Sequence, residues 1–166
     1  QGLIVQGYKG FKLLTTADGL PSNKINCLSF FKNFLVIGTD KGLSCYDLIS
    51  RKFTNYQSKN GLIDEDITSV KGQNDEFLWI GSQNGLLRFD GLQFSYYNIG
   101  PDNNSNQVKS ILQDREDNMW IGTHNGLFRY RDNSFSTFDK TNGPGNAFIY
   151  EIFRDSDKNL WVCTES

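Results

Sequence analysis

The side chains with chemical potential in this chain lie mostly in turns. Asp155, Asp157 and Asn159 have the first three ligand spacings of a calcium-binding EF-hand loop. Leu160 then stands where that loop requires Gly, and Ser166 where it requires a bidentate Glu. DSDKN (155–159) and DREDN (114–118) therefore read as solvated hairpin turns, which Asp and Asn favour. Asp64, Glu65 and Asp66 offer three carboxylates. Acid–base catalysis needs a positioned, pKa-shifted pair, and three adjacent loop carboxylates do not supply one. His124 is the only histidine; it has no GxSxG, no cysteine partner and no ligand-spaced companion, so neither a hydrolase site nor a zinc site is expected. Cys27, Cys45 and Cys163 are odd in number, form no CxxC and have apolar neighbours. Buried small hydrophobes are the expectation, with a disulfide as the alternative. Asn103-Asn104-Ser105 is a formal glycosylation sequon with meaning only in a eukaryotic protein. No catalytic residue, metal or cofactor is expected.

The elements that position these turns repeat. MWIGTHNGLFRY (119–130) recurs as LWIGSQNGLLRFD (78–90), more weakly as LVIGTDKGLSCYD (35–47), and in part as LWVCTES (160–166). Gly38, Gly81, Gly122 and Cys163 occupy one position of the repeat, at spacings of 43, 41 and 41 residues. A period in the forties marks one supersecondary unit used repeatedly. Within it, short apolar runs are bounded by turn signals and interrupted by Gly, which excludes helices. The strands expected are 25–30, 34–39, 43–47 and 52–56, then 67–71, 77–82, 85–90 and 93–98, then 107–113, 118–123, 126–131 and 134–139. Residues 3–6 and 11–15 match the third and fourth strands of a unit, since Gly2 to Phe11 repeats the spacing of Gly126 to Phe135. Residues 147–153 and 160–164 match the first two. Asn84-Gly85 and Asn125-Gly126 suggest hairpins with positive φ at both positions.

Four consecutive antiparallel strands make a meander blade, and a blade with two apolar faces must be stacked on others. Radial stacking gives an all-β β-propeller. The expected layout is about four blades' worth, starting and ending mid-blade: 1–15 as half a blade, 25–57, 66–98 and 107–139 as complete blades, and 147–164 as half a blade. Trp79, Trp120 and Trp161 are then wedges between blades, with Val36 in the first. Leu43, Leu86 and Leu127 fill the next core layer, and Phe11, Phe53, Phe94 and Phe135 anchor outer strands. Cys163 is expected as a small substitute at the glycine position. A closed four-bladed ring, two chains in an eight-bladed ring, or an arc of a longer propeller all fit. An isolated open arc would leave large apolar patches at its ends.

Hydrophobic residues make up 37% of the chain and aromatics 14%, enough for a packed core. The net charge of −2 includes no basic stripe, so nucleic acid is not an expected partner. No apolar run approaches the ~20 residues of a membrane span, so no membrane contact is expected within this chain.

A binding face follows from topology. Loops entering each blade share a face with loops joining strands two and three. The first set contains Asn23, Lys24, Asp64, Glu65, Asp66, Asn106, Gln107 and Asn146, and the second Asp40, Lys41, Gln83, Asn84, His124, Asn125 and Glu165, with Tyr150 near the rim. The ligand residues expected are Asn23, Lys24, Asp40, Lys41, Asp64, Asp66, Gln83, Asn106, Gln107, His124, Asn146 and Tyr150. Polar groups beside an aromatic ring suit sugar hydroxyls and a stacking sugar face. Surface loops that are merely polar are the alternative.

The repeat WIGT-x-x-GL followed by Tyr or Phe, with LTTADGLPSNKINCL (14–28) at a blade entry and LWIGSQNGLLRFD (78–90) as repeat core, resembles the two-component regulator propeller family. The resemblance extends over essentially the whole chain. It implies an extracytoplasmic, periplasmic sensor region of hybrid histidine kinases of Bacteroides-like bacteria, with oligosaccharides from polysaccharide breakdown as ligands. It implies no enzymatic activity in these residues, since kinase and membrane helix would lie outside them. A structural propeller that dimerises through its blades is a second expectation, and a propeller lyase or glycosidase a weaker third.

Overall fold

The computed structural model describes residues 2–8 and 10–165; Ser166, the last position of the EF-hand comparison, lies outside them. The chain begins with a hairpin, β1 (Leu3–Gly7) and β2 (Gly10–Leu14). Three four-stranded antiparallel sheets follow. Blade A is β3 (Ile25–Phe31), β4 (Phe34–Thr39), β5 (Gly42–Asp47) and β6 (Phe53–Tyr56). Blade B is β7 (Ile67–Gln73), β8 (Phe77–Ser82), β9 (Gly85–Phe89) and β10 (Phe94–Tyr97). Blade C is β11 (Val108–Gln113), β12 (Met119–Thr123), β13 (Gly126–Arg131) and β14 (Ser134–Thr137). A final pair, β15 (Ile149–Arg154) and β16 (Leu160–Thr164), ends the described chain. Strand order within each sheet is the order in sequence, the all-antiparallel meander of a propeller blade.

The core lies between blades rather than within them. Val36, Leu43 and Cys45 of blade A meet Ile67, Val70 and Ile80 of blade B. Trp79 and Leu86 of blade B meet Val108, Ile111 and Tyr130 of blade C. Leu127 of blade C meets Ile149 and Ile152. Trp79 is fully buried. Burying a side chain of that size removes about 150–250 Å² from water, worth about 4–6 kcal/mol at ~25 cal/mol per Å² as an upper bound.

The repeated glycine sets how closely blades approach. A Cβ added to Gly38 would lie 2.7 Å from Ile67 Cγ2, one on Gly81 2.4 Å from Val108 Cγ1, and one on Gly122 2.5 Å from Ile149 Cγ2. Each glycine thus receives the β-branched first residue of the next inner strand. Serine hydroxyls tie the same junctions: Ile111 N donates to Ser69 Oγ at 3.1 Å, and Ile152 N to Ser110 Oγ at 3.2 Å. At the opposite ends of these strands, Lys32 N donates to Asp75 Oδ1 at 3.0 Å, and Arg154 pairs with Glu116 at 2.9 Å.

Several expectations change. The turn between strands two and three is not built on Asn-Gly with two positive φ angles. Gly85 and Gly126 have φ of 147° and 114°, but Asn84 and Asn125 are not among the residues with positive φ. The turn residues are Asp40-Lys41, Gln83-Asn84 and His124-Asn125, because Thr39 pairs with Gly42, Ser82 with Gly85 and Thr123 with Gly126. The repeated Thr or Ser closes each turn. Thr123 Oγ1 donates to Gly126 O at 3.1 Å and accepts from Asn125 N at 3.1 Å, and Thr39 and Ser82 do the same. Phe11, expected in the core, is 75% exposed, and Trp161, expected as a wedge, is 61% exposed. Neither has a blade against it. Cys163 is exposed while Cys45 is buried and Cys27 half-buried; all three are free thiols. The contacts at Gly38, Gly81 and Gly122 leave no room for even a Cβ, so Cys163 is not simply a small substitute there. A single helical turn, α1 (Asn103–Asn106), forms in the entry loop of blade C, where none was expected. Asp102 caps it by accepting from Ser105 N at 2.7 Å.

Candidate functional site: the loop face and its bulged inner strands

Each inner strand carries a β-bulge at its entry end. Register shifts fall between Ile25 and Cys27, Ile67 and Ser69, Val108 and Ser110, and Ile149 and Glu151. The extra residues are Asn26, Thr68, Lys109 and Tyr150, at spacings of 42, 41 and 41. A bulge re-aims one side chain out of the pleat. Here Asn26, Thr68 and Lys109 reach toward the entry segment of the following blade, and Tyr150 toward that of its own strand. Asn26 Nδ2 donates to Ile67 O at 2.9 Å and to Asp66 Oδ1 at 3.0 Å. Thr68 Oγ1 donates to Val108 O at 2.7 Å. Lys109 Nζ lies 6.0 Å from the centre of the Phe148 ring. The Tyr150 ring stacks on Phe148 at 4.5 Å and is half exposed.

Tyr150 was legible in the sequence as an aromatic near this rim; Asn26, Thr68 and Lys109 were not. The signal available was the variable second position of INCL (25–28), ITSV (67–70), VKSI (108–111) and IYEI (149–152). A strand read with strict alternation sends that residue to one sheet face, and only the bulge sends it to the rim.

The two loop sets meet as topology requires. Gly42 N donates to Glu65 O at 2.8 Å, His124 N to Gln107 O at 3.1 Å, and Glu165 N to Phe148 O at 3.1 Å. Asp40 and Lys41 therefore sit beside Asp64 and Asp66, and His124 beside Gln107. His124 stacks on Phe148 with ring centroids 4.1 Å apart. Burial, reinforced by the nearby Lys109 charge, holds the His124 imidazole below its ordinary pKa. Asp66 N donates to Asp64 Oδ1 at 3.0 Å. Asp40 Oδ1, Asp64 Oδ2 and His124 Nε2 are buried with no hydrogen-bond partner among the described residues. Similar atoms on Asn118, Arg129 and Arg154 lie away from this face.

Two of the expected ligand residues hold their own loops. Asn23 Oδ1 accepts from Thr16 N at 2.8 Å, and Asn106 Oδ1 from Ile99 N at 2.9 Å. Glu65 repeats the arrangement, accepting from Ser58 N at 2.9 Å. In all three the acceptor stands seven residues after the donor. Asn106 Nδ2 also donates to Asn98 and to Asp102 O, so this side chain is committed to the loop. Lys24 is exposed at the rim and Gln83 half-buried in the blade B turn. Asn146 lines a cleft of about 270 Å³ together with Asn125, Asp102 and Phe138. A larger cleft, about 640 Å³, lies elsewhere, between the β1–β2 hairpin and blade A. Its walls are mainly apolar and it is remote from the bulged residues.

Three complete blades, a half-blade at each end and a loop face built from four copies of one bulge define an arc of a β-propeller. The two-component regulator propeller model matches residues 102–125 and 142–166. Among solved structures, the chain is similar to the extracellular domain of a hybrid two-component system of B. thetaiotaomicron, at 18% identity and a TM-score of 0.76, over 91% of this chain and 22% of that one. It is similar to the extracellular domain of a second such system from the same organism, at 21% identity and a TM-score of 0.61, over 98% and 29%. A streptogramin B lyase is similar at 14% identity and a TM-score of 0.67, over 87% and 49%. At these identities the likeness is one of fold, and the chain spans less than a third of either sensor domain. A search of curated proteins gives no significant match. No helix among the described residues is long and apolar enough to cross a membrane.

Proposed function

We propose that this chain is a non-catalytic, ligand-sensing segment of the extracytoplasmic, periplasmic part of a two-component sensor, and that its ligand is an oligosaccharide. The observation that carries the proposal is the aromatic cluster of His124, Phe148 and the half-exposed Tyr150, with Lys109 beside it, on the face that also holds the unpartnered Asp40 Oδ1, Asp64 Oδ2 and His124 Nε2. A sugar presents hydroxyls along its edge and a weakly apolar face. The half-exposed Tyr150 ring can take that face, since tyrosine combines an apolar body with a polar tip. Asp40 Oδ1, Asp64 Oδ2 and His124 Nε2 can accept or share hydroxyl protons that no protein group now supplies. A few placed polar groups beside aromatic surface are the usual composition of a small-molecule site. The sensor context rests on the repeat family and on the likeness to sensor extracellular domains.

A lyase reading has the streptogramin B lyase fold in its favour. It would require an acid and a base held together at this face. The imidazole packs against Phe148 and is biased toward its neutral form by burial and Lys109, an arrangement for recognition more than proton transfer. Titration calorimetry with a panel of neutral and acidic oligosaccharides tests the proposal. A binding sugar whose affinity drops at least tenfold in Tyr150→Ala supports it. Failure of every sugar to bind the complete sensor region overturns it.

A further inference from the structure

In blades A and B the bulged side chain is spent on the protein itself. Asn26 Nδ2 donates to Asp66 Oδ1 at 3.0 Å and to Ile67 O at 2.9 Å, and Thr68 Oγ1 donates to Val108 O at 2.7 Å. Lys109 holds the same place in blade C. Its ammonium forms no ion pair among the described residues, where the paired cations are Arg131 and Arg154. The difference lies in the residue it meets. Asp66 stands immediately before β7, and Phe148 immediately before β15. Lys109 thus finds a phenyl ring where Asn26 finds a carboxylate, with Nζ 6.0 Å from the ring centre. That distance is the outer limit of a cation–π contact. Lys109 is also half-buried, and a partly desolvated cation gains most from an anion that pairs with it.

His124 adds a second group to the same place. Its ring stacks on Phe148 at 4.1 Å, and Nε2 is buried without a partner among the described residues. The imidazole is near enough for the Lys109 charge to act on it alongside burial. Glu151, which follows Tyr150, is committed to the blade junction: its carboxylate accepts from Ser110 Oγ at 2.6 Å and from Ile152 N at 3.3 Å. The unpartnered carboxylate oxygens of this face, Asp40 Oδ1 and Asp64 Oδ2, belong to the junction of blades A and B. The loop face is therefore polarised, acidic at the first junction and cationic beside blade C.

Resting on the oligosaccharide reading of this face, we propose that the ligand is an acidic oligosaccharide whose anionic group, a uronate carboxylate or a sulfate, sits beside Lys109 and His124 at the Phe148 ring. The anion takes the part that Asp66 plays for Asn26. Lys109 supplies a charge-assisted hydrogen bond. His124 Nε2 supplies a second donor in the tautomer that carries its proton there. Asp40 and Asp64 repel an anionic group at the other junction and accept from neutral hydroxyls instead, which fixes the direction in which the sugar lies.

Titration calorimetry of the complete sensor region with three probe sets tests this: uronate oligomers, sulfated oligomers, and neutral hexose and pentose oligomers. A member of one acidic set should bind at least about tenfold more tightly than the neutral sugars, the gain of one hydrogen bond to a charged group. The set it comes from tells carboxylate from sulfate, and its affinity should fall as salt is raised. Lys109→Gln, with the circular dichroism of the parent, should remove the preference for acid. Lys109→Arg, which keeps the charge, should retain most of it. An acidic preference undiminished in Lys109→Gln overturns the assignment. Binding of neutral sugars with no acidic preference overturns it as well and leaves the sugar-sensing function standing. Failure of every probe to bind overturns both.

Discussion

Trp79 and Tyr130 meet with ring centroids 4.9 Å apart and planes at 61°, one on the second strand of blade B and the other on the third strand of blade C. The contact is edge-to-face and crosses a blade junction, so it stabilises the arrangement of blades and not either blade alone. Trp79→Ala removes the largest fully buried side chain. The expected cost is about 3–5 kcal/mol. Urea unfolding should show this as a lower midpoint. If the slope also falls, blades B and C have become separate cooperative units.

Gly81→Ala should destabilise by about 1–3 kcal/mol through overpacking, since the new Cβ would lie 2.4 Å from Val108 Cγ1. Gly81 has no positive φ, so the cost is steric and belongs to the junction. Shaving the opposing side chain with Val108→Ala should relieve it. A double-mutant cycle in urea should return a favourable coupling of at least ~0.5 kcal/mol; simple additivity would show that the two blades do not meet at this pair.

The blade plan was open to reading because each strand announces itself twice, by its apolar run and by the turn residues at fixed offsets. Leu43, Leu86 and Leu127 are buried where a core layer was expected. What escaped the sequence depended on contacts between repeats. Phe11 and Phe94 hold the same place in the repeat, yet only Phe94 packs on a complete blade, stacking with Phe89 at 4.5 Å. The Thr-x-x-Gly turn looked like an Asn-Gly hairpin because Asn and Gly are stronger local signals than a hydroxyl two residues earlier. The bulges were hidden for a different reason. One inserted residue reverses the inward and outward alternation of the strand, and nothing in INCL or VKSI marks where the insertion falls. On the candidate site, the loop face followed from topology, but Asn23 and Asn106 could not be told from ligand residues until their bonds to Thr16 N and Ile99 N were seen.

Asp114 anchors the turn of blade C. Its carboxylate accepts from Trp120 Nε1 at 2.8 Å, Asn118 N at 2.9 Å, Asn118 Nδ2 at 2.7 Å and Glu116 N at 3.0 Å. Burial pushes the carboxyl up, but these hydrogen bonds outweigh it and hold the group below its ordinary value. A carboxyl depressed in the folded state contributes stability above its unfolded pKa, near 3.9, and loses that contribution as pH falls through the folded value. Asp155, with Trp161 and Asn159 as donors, is lowered in the same way. Asp114→Asn should therefore lower stability at pH 7 and flatten the acid limb below pH ~4. Thermal melts from pH 7 to 3 check this; an acid limb as steep in the variant as in the parent would assign it to other carboxylates.

His124 gives the loop face a pH dependence of opposite origin. Burial against Phe148, with Lys109 reinforcing it, lowers the imidazole pKa, so the folded chain favours the neutral ring. The unfolded chain, with a value near 6.5, takes up the proton first. Stability contributed by the neutral ring is complete above about pH 6.5 and declines as pH falls toward the folded value. Because His124 is the only histidine, its ring protons are unambiguous in an NMR titration. Lys109→Gln should raise the folded pKa and shrink the stability loss between pH 6.5 and 5. A titration unmoved by that substitution would place the Lys109 charge outside electrostatic reach of the ring. The same variant bears on recognition. A neutral His124 leaves Nε2 free to accept or donate to a sugar hydroxyl, whereas the imidazolium can only donate. Oligosaccharide affinity should accordingly follow the folded His124 titration, and Lys109→Gln should shift both curves to higher pH together.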